Sequence, residues 1–174
     1  GTEQLKDVDG LTQKLQVLGI SEIHTHSLID FEPESPKLIR ELVRRTGARW
    51  EVNLHDYKVV CPRITLSDSK GRYCGEPNDE GCNRCLLVRG SSFGIRNIRW
   101  WRNMHWQALE AADEVLVPDE DMSLRLARYF PGLEITVSPH EETVSSAVRG
   151  DRSRAHDDGK VHVVVIGAIN KHKG

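Results

Sequence analysis

Every cysteine of this chain falls in one stretch, at Cys61, Cys74, Cys82 and Cys85, with the spacing Cys-x12-Cys-x7-Cys-x2-Cys. The stretch is polar, turns on Gly71, Gly75 and Gly81, and follows a strand-like apolar run that ends in His55-Asp56. Four thiolates gathered by such a loop form a complete tetrahedral set for a soft divalent ion, and the terminal Cys-x2-Cys has the bite of a zinc knuckle. The loop is therefore expected to fold around a structural zinc. If all four thiolates bind, no position stays open for substrate, so the ion would be a scaffold rather than a catalyst. Two disulfides, an iron-sulfur centre and four unrelated thiols are the competing explanations. Disulfides call for an oxidising compartment, and no basic segment followed by an apolar one marks a secretory signal.

The length of 174 residues suits one domain with a sizeable core. No apolar run approaches the roughly 20 residues that span a bilayer, so a soluble globular protein is expected. A net charge of −2 makes no case for nucleic acid. Its distribution says more. Between Gly81 and Leu109 stand Arg84, Arg89, Arg96, Arg99 and Arg102 without a single acid, a local basic patch interleaved with Trp100, Trp101 and Trp106. Such a helix resembles one that lies on a membrane surface or a polyanion. The preferred explanation is the ordinary one, a solvated arginine edge beside a tryptophan-rich core face, with Trp100 and Trp101 unable to point inward together. The chain begins on Gly1 rather than Met and stops at Gly174 just after an apolar run, and both ends are expected to be cut.

Taken in order, Leu5, Val8, Leu11, Leu15 and Leu18 predict an amphipathic helix over residues 2–19. A strand over 20–27 places His24 and His26 on one face, because side chains alternate along a strand. Ser35-Pro36 opens a helix over 36–45 and Gly47 stops it. A second strand, 48–54, delivers His55 and Asp56 at its carboxyl end. A long helix over about 95–112 follows the cysteine loop, with Ile98, Trp101, Leu109 and Ala112 near one stripe. Then come a strand at 114–117, a helix capped by Asp119 or Asp121 and running to Arg128, and a strand over 133–137 that leads to Pro139-His140-Glu141. Residues 142–160 read as a polar linker, and 161–169 as a strand buried on both faces. This alternation predicts an α/β fold, an open, mainly parallel, Rossmann-like sheet with helices on both faces. Residues 1–141 would form the domain, with the metal loop at 61–85, and 161–174 the first strand of another. On such sheets ligands bind beyond the carboxyl ends of the strands.

Two sets of residues there carry chemistry. His55 can donate a hydrogen bond to a hydroxyl or a developing charge, and Asp56 can accept one or orient the imidazole. The bland alternative makes Asp56 a turn cap and His55 a satisfied imidazole. His24-x-His26 supports a rival, a metal-dependent hydrolase whose remaining ligands would come from His55, His140 or Glu141. A further alternative is a binding module, in which the zinc loop and arginine patch hold a polyanion or a protein partner.

The motif HDYKVVCPRITLSDSKGRYCGEPNDEGCNRC, with Glu22-Ile23-His24-Thr25-His26 before it, resembles the cysteine-containing loop of a subgroup of bacterial family 4 (group 1) glycosyltransferases. The likeness extends through Ala112 to Pro118, Arg128-Tyr129-Phe130-Pro131, Pro139-His140-Glu141 and Val165-Ile166-Gly167-Ala168-Ile169 with Lys171-His172-Lys173-Gly174. It covers roughly residues 15–174 and is specific in the cysteine loop. The resemblance implies two Rossmann-like domains across a cleft, and a retaining transfer of sugar from a nucleotide-sugar donor to a glycan or lipid acceptor, with no catalytic metal. It makes His55, with Asp56, the catalytic position beside the donor sugar. Substrate contacts fall to His24, His26, Tyr57, Arg63, His140 and Glu141, and the donor diphosphate to Gly167, Lys173 and Gly174. An ammonium beside backbone amides suits a diphosphate physically. A cytoplasmic location, at the inner face of the membrane with peripheral contact, and a homodimer are compatible with it; nucleic acid is not expected. The chain departs from the pattern twice: it lacks the glycine-rich turn after the domain's first strand and ends before the Glu-x7-Glu region. It is expected to be a fragment, inactive by itself.

Overall fold

The computed structural model describes residues 5–68 and 70–139. Helix α1 (Val8–Val17) leads to β1 (Glu22–His26), α2 (Ser35–Thr46) and β2 (Arg49–Asn53). After the cysteine loop come α3 (Asp79–Arg89), a 3-10 turn (Ser92–Gly94), α4 (Ile98–Leu109), β3 (Glu114–Val117), α5 (Glu120–Tyr129) and β4 (Thr136–Val137). The four strands pair in parallel in the order β1-β2-β3-β4. The α/β parallel sheet expected from the alternation is present.

Strand order explains where the helices lie. Each strand is added on the same side of the one before it, and right-handed crossovers then carry every connecting helix to one face. On that face Trp50, Val52, Val115 and Val117 pack with Ile39 of α2, Ala108 and Leu109 of α4, and Met122 and Leu126 of α5 in one buried cluster. Among the described residues the helical core covers this face alone, not both as the alternation suggested. A doubly wound sheet needs a reversal of strand order, and the described strands have none.

The other face carries charge. Glu51 stands directly opposite Glu114 in the β2–β3 register, an arrangement that would repel. Arg49 bridges the two, bonding Glu114 and lying 3.8 Å from Glu51. His24 Nδ1 in turn approaches Glu51 Oε1 at 2.9 Å, and its Nε2 approaches Glu22 Oε2 at 3.3 Å. The resulting ladder alternates carboxylates with His24 and Arg49 across three strands and stays wet.

Helix ends follow the sequence signals. Asp119 caps α5 by accepting from the Met122 amide, and Gly47 ends α2 in the left-handed conformation, at φ 68°. Helix α1 is shorter than its leucine pattern suggested. It lies along α2 with Leu18 exposed and only Thr12 buried. Helix α3 was not expected at all: Asn78 caps it through the Gly81 amide, with Asp79 and Glu80 in the first turn where they suit the dipole. It buries only Leu86, so no apolar stripe announced it. Trp101 is buried and Trp100 half exposed, as one helix face requires.

Candidate functional site

The carboxyl ends of β1 and β2 are tied together by side chains. His26 Nδ1 and His55 Nε2 stand 3.1 Å apart, so whichever nitrogen carries the proton donates to the other. The rings are parallel within 5°, at a centroid separation of 5.4 Å, and both residues are exposed. One residue further on, the Ser27 hydroxyl donates to Asp56 Oδ2 at 2.5 Å, and the Lys58 amide donates to Asp56 Oδ1 at 2.7 Å. Asp56 thus closes the turn after β2 and clamps it to the end of β1. Its carboxylate serves the turn, while the imidazole of His55 faces solvent.

Under this mouth runs a seam that sequence reasoning missed. Lys58 is buried, and its ammonium donates to the carbonyls of Leu28, Ile29 and Phe31, holding the β1–α2 connection in place. Burial lowers its pKa. The Lys58 carbonyl accepts from Trp101 Nε1 at 2.6 Å. Next to it His105, 3% exposed, bonds Trp101 O through Nδ1 at 2.9 Å, and burial brings its pKa down to about 4. The imidazole is therefore neutral in the fold. The cavity here, lined by Thr25, Ser27, Trp50, Asp56, Lys58 and His105 among others, measures about 40 Å3. That admits little more than ordered water and falls well short of the roughly 300 Å3 of a ligand pocket. Any sugar-sized ligand would rest on the open surface above His26 and His55.

Of the other expected contacts, His24 sits in the charged ladder, where its hydrogen bonds to Glu51 and then to Glu22 raise its pKa. Tyr57 turns away from the mouth, with the Arg125 guanidinium 5.5 Å from its ring, and burial raises its pKa. Arg63 donates to the Gly90 carbonyl at 3.1 Å and lines the cysteine cavity instead. His140, Glu141, Gly167, Lys173 and Gly174, with the linker at 142–160 and the strand at 161–169, lie outside the described residues.

The four cysteines line a single second cavity, about 200 Å3, between the loop and α3. Cys82 and Cys85 come from one turn of α3, Cys61 and Cys74 from the loop. All four thiols are free. Burial raises the pKa of Cys61, Cys74 and Cys82, and Arg102 pulls against that at Cys82. Among the described residues no group of three or more His, Cys, Asp or Glu stands close enough together to hold a metal ion. This applies to the cysteines and to His24 and His26 alike.

Two arginines tie this lobe to α4 and α5. Arg102 donates to Val60 O at 3.1 Å, Asp79 Oδ1 at 2.8 Å and Cys82 Sγ at 3.6 Å, and its guanidinium covers the Tyr129 ring at 4.4 Å. Arg125 pairs with Glu76, whose side chain is only 6% exposed. Tyr73, Tyr129 and Arg128 also bond that carboxylate. Ile64, Leu66 and Glu76 hold left-handed backbone, at φ of 71°, 52° and 45°. Such non-glycine conformations cost about 1–3 kcal/mol each and persist only where surroundings impose them. No family model, curated protein or solved structure matches this chain.

Proposed function

We propose that this chain is the acceptor-side, Rossmann-like part of a retaining glycosyltransferase that moves a sugar from a nucleotide-sugar donor to a glycan or lipid acceptor. The observation that carries the reading is the pair of exposed imidazoles at adjacent strand ends, His55 on β2 bonded to His26 on β1. Ligands of open parallel sheets gather beyond those ends. An imidazole there can donate to a sugar hydroxyl or to charge developing on the leaving group, and its neighbour can supply or take the proton. In this reading His55 touches the transferred sugar, while Asp56 is a positioning residue that acts through the turn. His140 and Glu141 would complete the acceptor side, and Gly167, Lys173 and Gly174 would hold the donor diphosphate.

The chain has a face suited to a membrane-borne acceptor. Leu87, Val88 and Phe93 are exposed, as are Arg84 and Arg96 within a few residues of them in sequence, while no helix among the described residues is long and apolar enough to cross a membrane. Apolar side chains next to cations favour the surface of an anionic bilayer. A metallohydrolase built on His24 and His26 has less behind it, because Glu51 and Glu22 already engage both nitrogens of His24.

The test is sugar transfer by the full-length protein. His55→Ala should cut transfer by at least about a hundredfold, the usual range for losing an acid-base group, with the thermal unfolding curve unchanged. His26→Ala should cut it less. Full transfer by a folded His55→Ala protein would remove the imidazole from the reaction.

A further inference from the structure

We propose that the cavity between the 61–77 loop and α3 is a site for one soft divalent cation, zinc first among them, bound by the thiolates of Cys61, Cys74, Cys82 and Cys85 inside a guanidinium shell from Arg63, Arg89 and Arg102. The proposal stands apart from sugar transfer and would hold if that reading failed. Its starting point is the wall of the cavity. Four free sulfurs from two segments face one space, and thiolates are the ligands that soft divalent ions select.

The second observation is independent of the cysteines. Arg63 Nε and Arg89 Nη1 are buried without a hydrogen-bond partner, and both residues line this cavity. Buried guanidinium donors left unpaired are costly, so they point to a missing acceptor. Asp68 also lines the space, but its carboxylate is taken up by the Lys70 and Arg72 amides. Arg102 already shows what such an acceptor is, donating from Nη2 to Cys82 Sγ at 3.6 Å. Four neutral thiols offer three cations little. Four thiolates around a divalent ion carry a net charge of 4 × (−1) + 2 = −2, and sulfur lone pairs facing outward, which answers both the charge and the open donors. Outer partners of this kind orient and strengthen metal ligands.

The loop also needs a constraint. Left-handed Ile64 and Leu66 lie between Cys61 and Cys74, and the Leu66 carbonyl accepts from the Cys74 amide at 2.8 Å. A β-branched residue such as Ile64 takes that conformation only under compulsion. Sulfurs bound at about 2.3 Å to a tetrahedral ion lie about 3.8 Å apart. Since the described sulfurs are not yet grouped that closely, binding draws the loop and the first turns of α3 inward.

The test uses the whole chain, purified under reducing conditions. Elemental analysis should give one zinc per chain, and exchange for cobalt should produce sulfur-to-metal charge-transfer absorption with the strong visible bands of a tetrahedral site. Stripping with a chelator should expose four thiols to a chromogenic thiol reagent, and readded zinc should protect them. These two readouts need no variant, so the test survives if a Cys→Ser protein does not fold. Arg63→Met and Arg89→Met should each keep the stoichiometry but weaken affinity about 10- to 100-fold in chelator competition, as second-layer losses do, with partial rescue by Lys. A folded chain that takes up no metal, or one with mass-confirmed disulfides, would overturn the site. Affinity within about twofold of the parent in both arginine variants would overturn the shell.

Discussion

The two faces of the sheet use opposite means to the same end. The helical face buries Trp50, Val52, Val115 and Val117 in an apolar cluster, whereas the bare face satisfies itself by alternating Glu22, His24, Glu51, Arg49 and Glu114. Burying apolar area contributes free energy in proportion to the area removed from water, but exposed ion pairs are screened and add little. The difference teaches that stability is concentrated on one side, and that the ladder's business is to keep the other side wet.

The largest effect should come from the helical face. Trp50→Ala removes a side chain that is 2% exposed from the apolar cluster on the sheet, and should cost about 3–5 kcal/mol in denaturant unfolding. A loss no larger than that of a ladder residue would break the comparison. Next comes a carboxylate on the helical side. Glu76→Ala removes the carboxylate shared by Arg125, Arg128, Tyr73 and Tyr129; because Arg125 keeps Asp121 and Arg128 reaches solvent, the loss should be smaller, about 1–3 kcal/mol, whereas Glu51→Ala on the bare face should barely move the unfolding curve.

The third prediction concerns pH. His105 is neutral in the fold with a pKa of about 4, against 6.5 when exposed. Above pH 6.5 neither state binds a proton there; as pH falls from 6.5 towards 4 only the unfolded chain does, so stability is lost over that window, on the order of 3 kcal/mol in all. His105→Phe, if it folds, should flatten that part of the stability-pH profile. The smallest effect belongs to His24, whose raised pKa has the opposite sign. Its contribution is present below pH 6.5 and fades as pH rises through the folded value, so His24→Gln should show a slight loss of melting temperature in acid and none in alkali.

Much of the sheet was readable, because Val52 stands between Glu51 and Asn53, Val115-Leu116-Val117 is a short apolar, largely β-branched run, and Gly47 and Asp119 punctuate the helices. His105 was readable too and was overlooked: it follows Ile98 and Trp101 on the buried stripe of α4. Lys58 and Glu76 were not. Each is a charged residue buried for the sake of partners distant in sequence, three carbonyls of the 28–31 connection for one and α5 for the other, and no local pattern encodes such a meeting. Helix α3 hid because its inward side joins a single leucine, Leu86, to Cys82, Cys85 and Arg89, which makes no apolar stripe. His26 and His55 were brought together in the sequence only as ligands of the rival metal site, and both their hydrogen bond and the Ser27–Asp56 clamp beneath it depend on the two strands lying side by side.

The alternating charges of β1 also bear on how this protein keeps company with itself. Its outer edge pairs with no strand among the described residues, and an unpaired parallel edge invites addition of a foreign strand. Glu22 and His24 stud that edge with ionisable groups, so an arriving chain would have to desolvate them before gaining its first backbone bond. Replacing them with valine would turn a solubility guard into a template for aggregation.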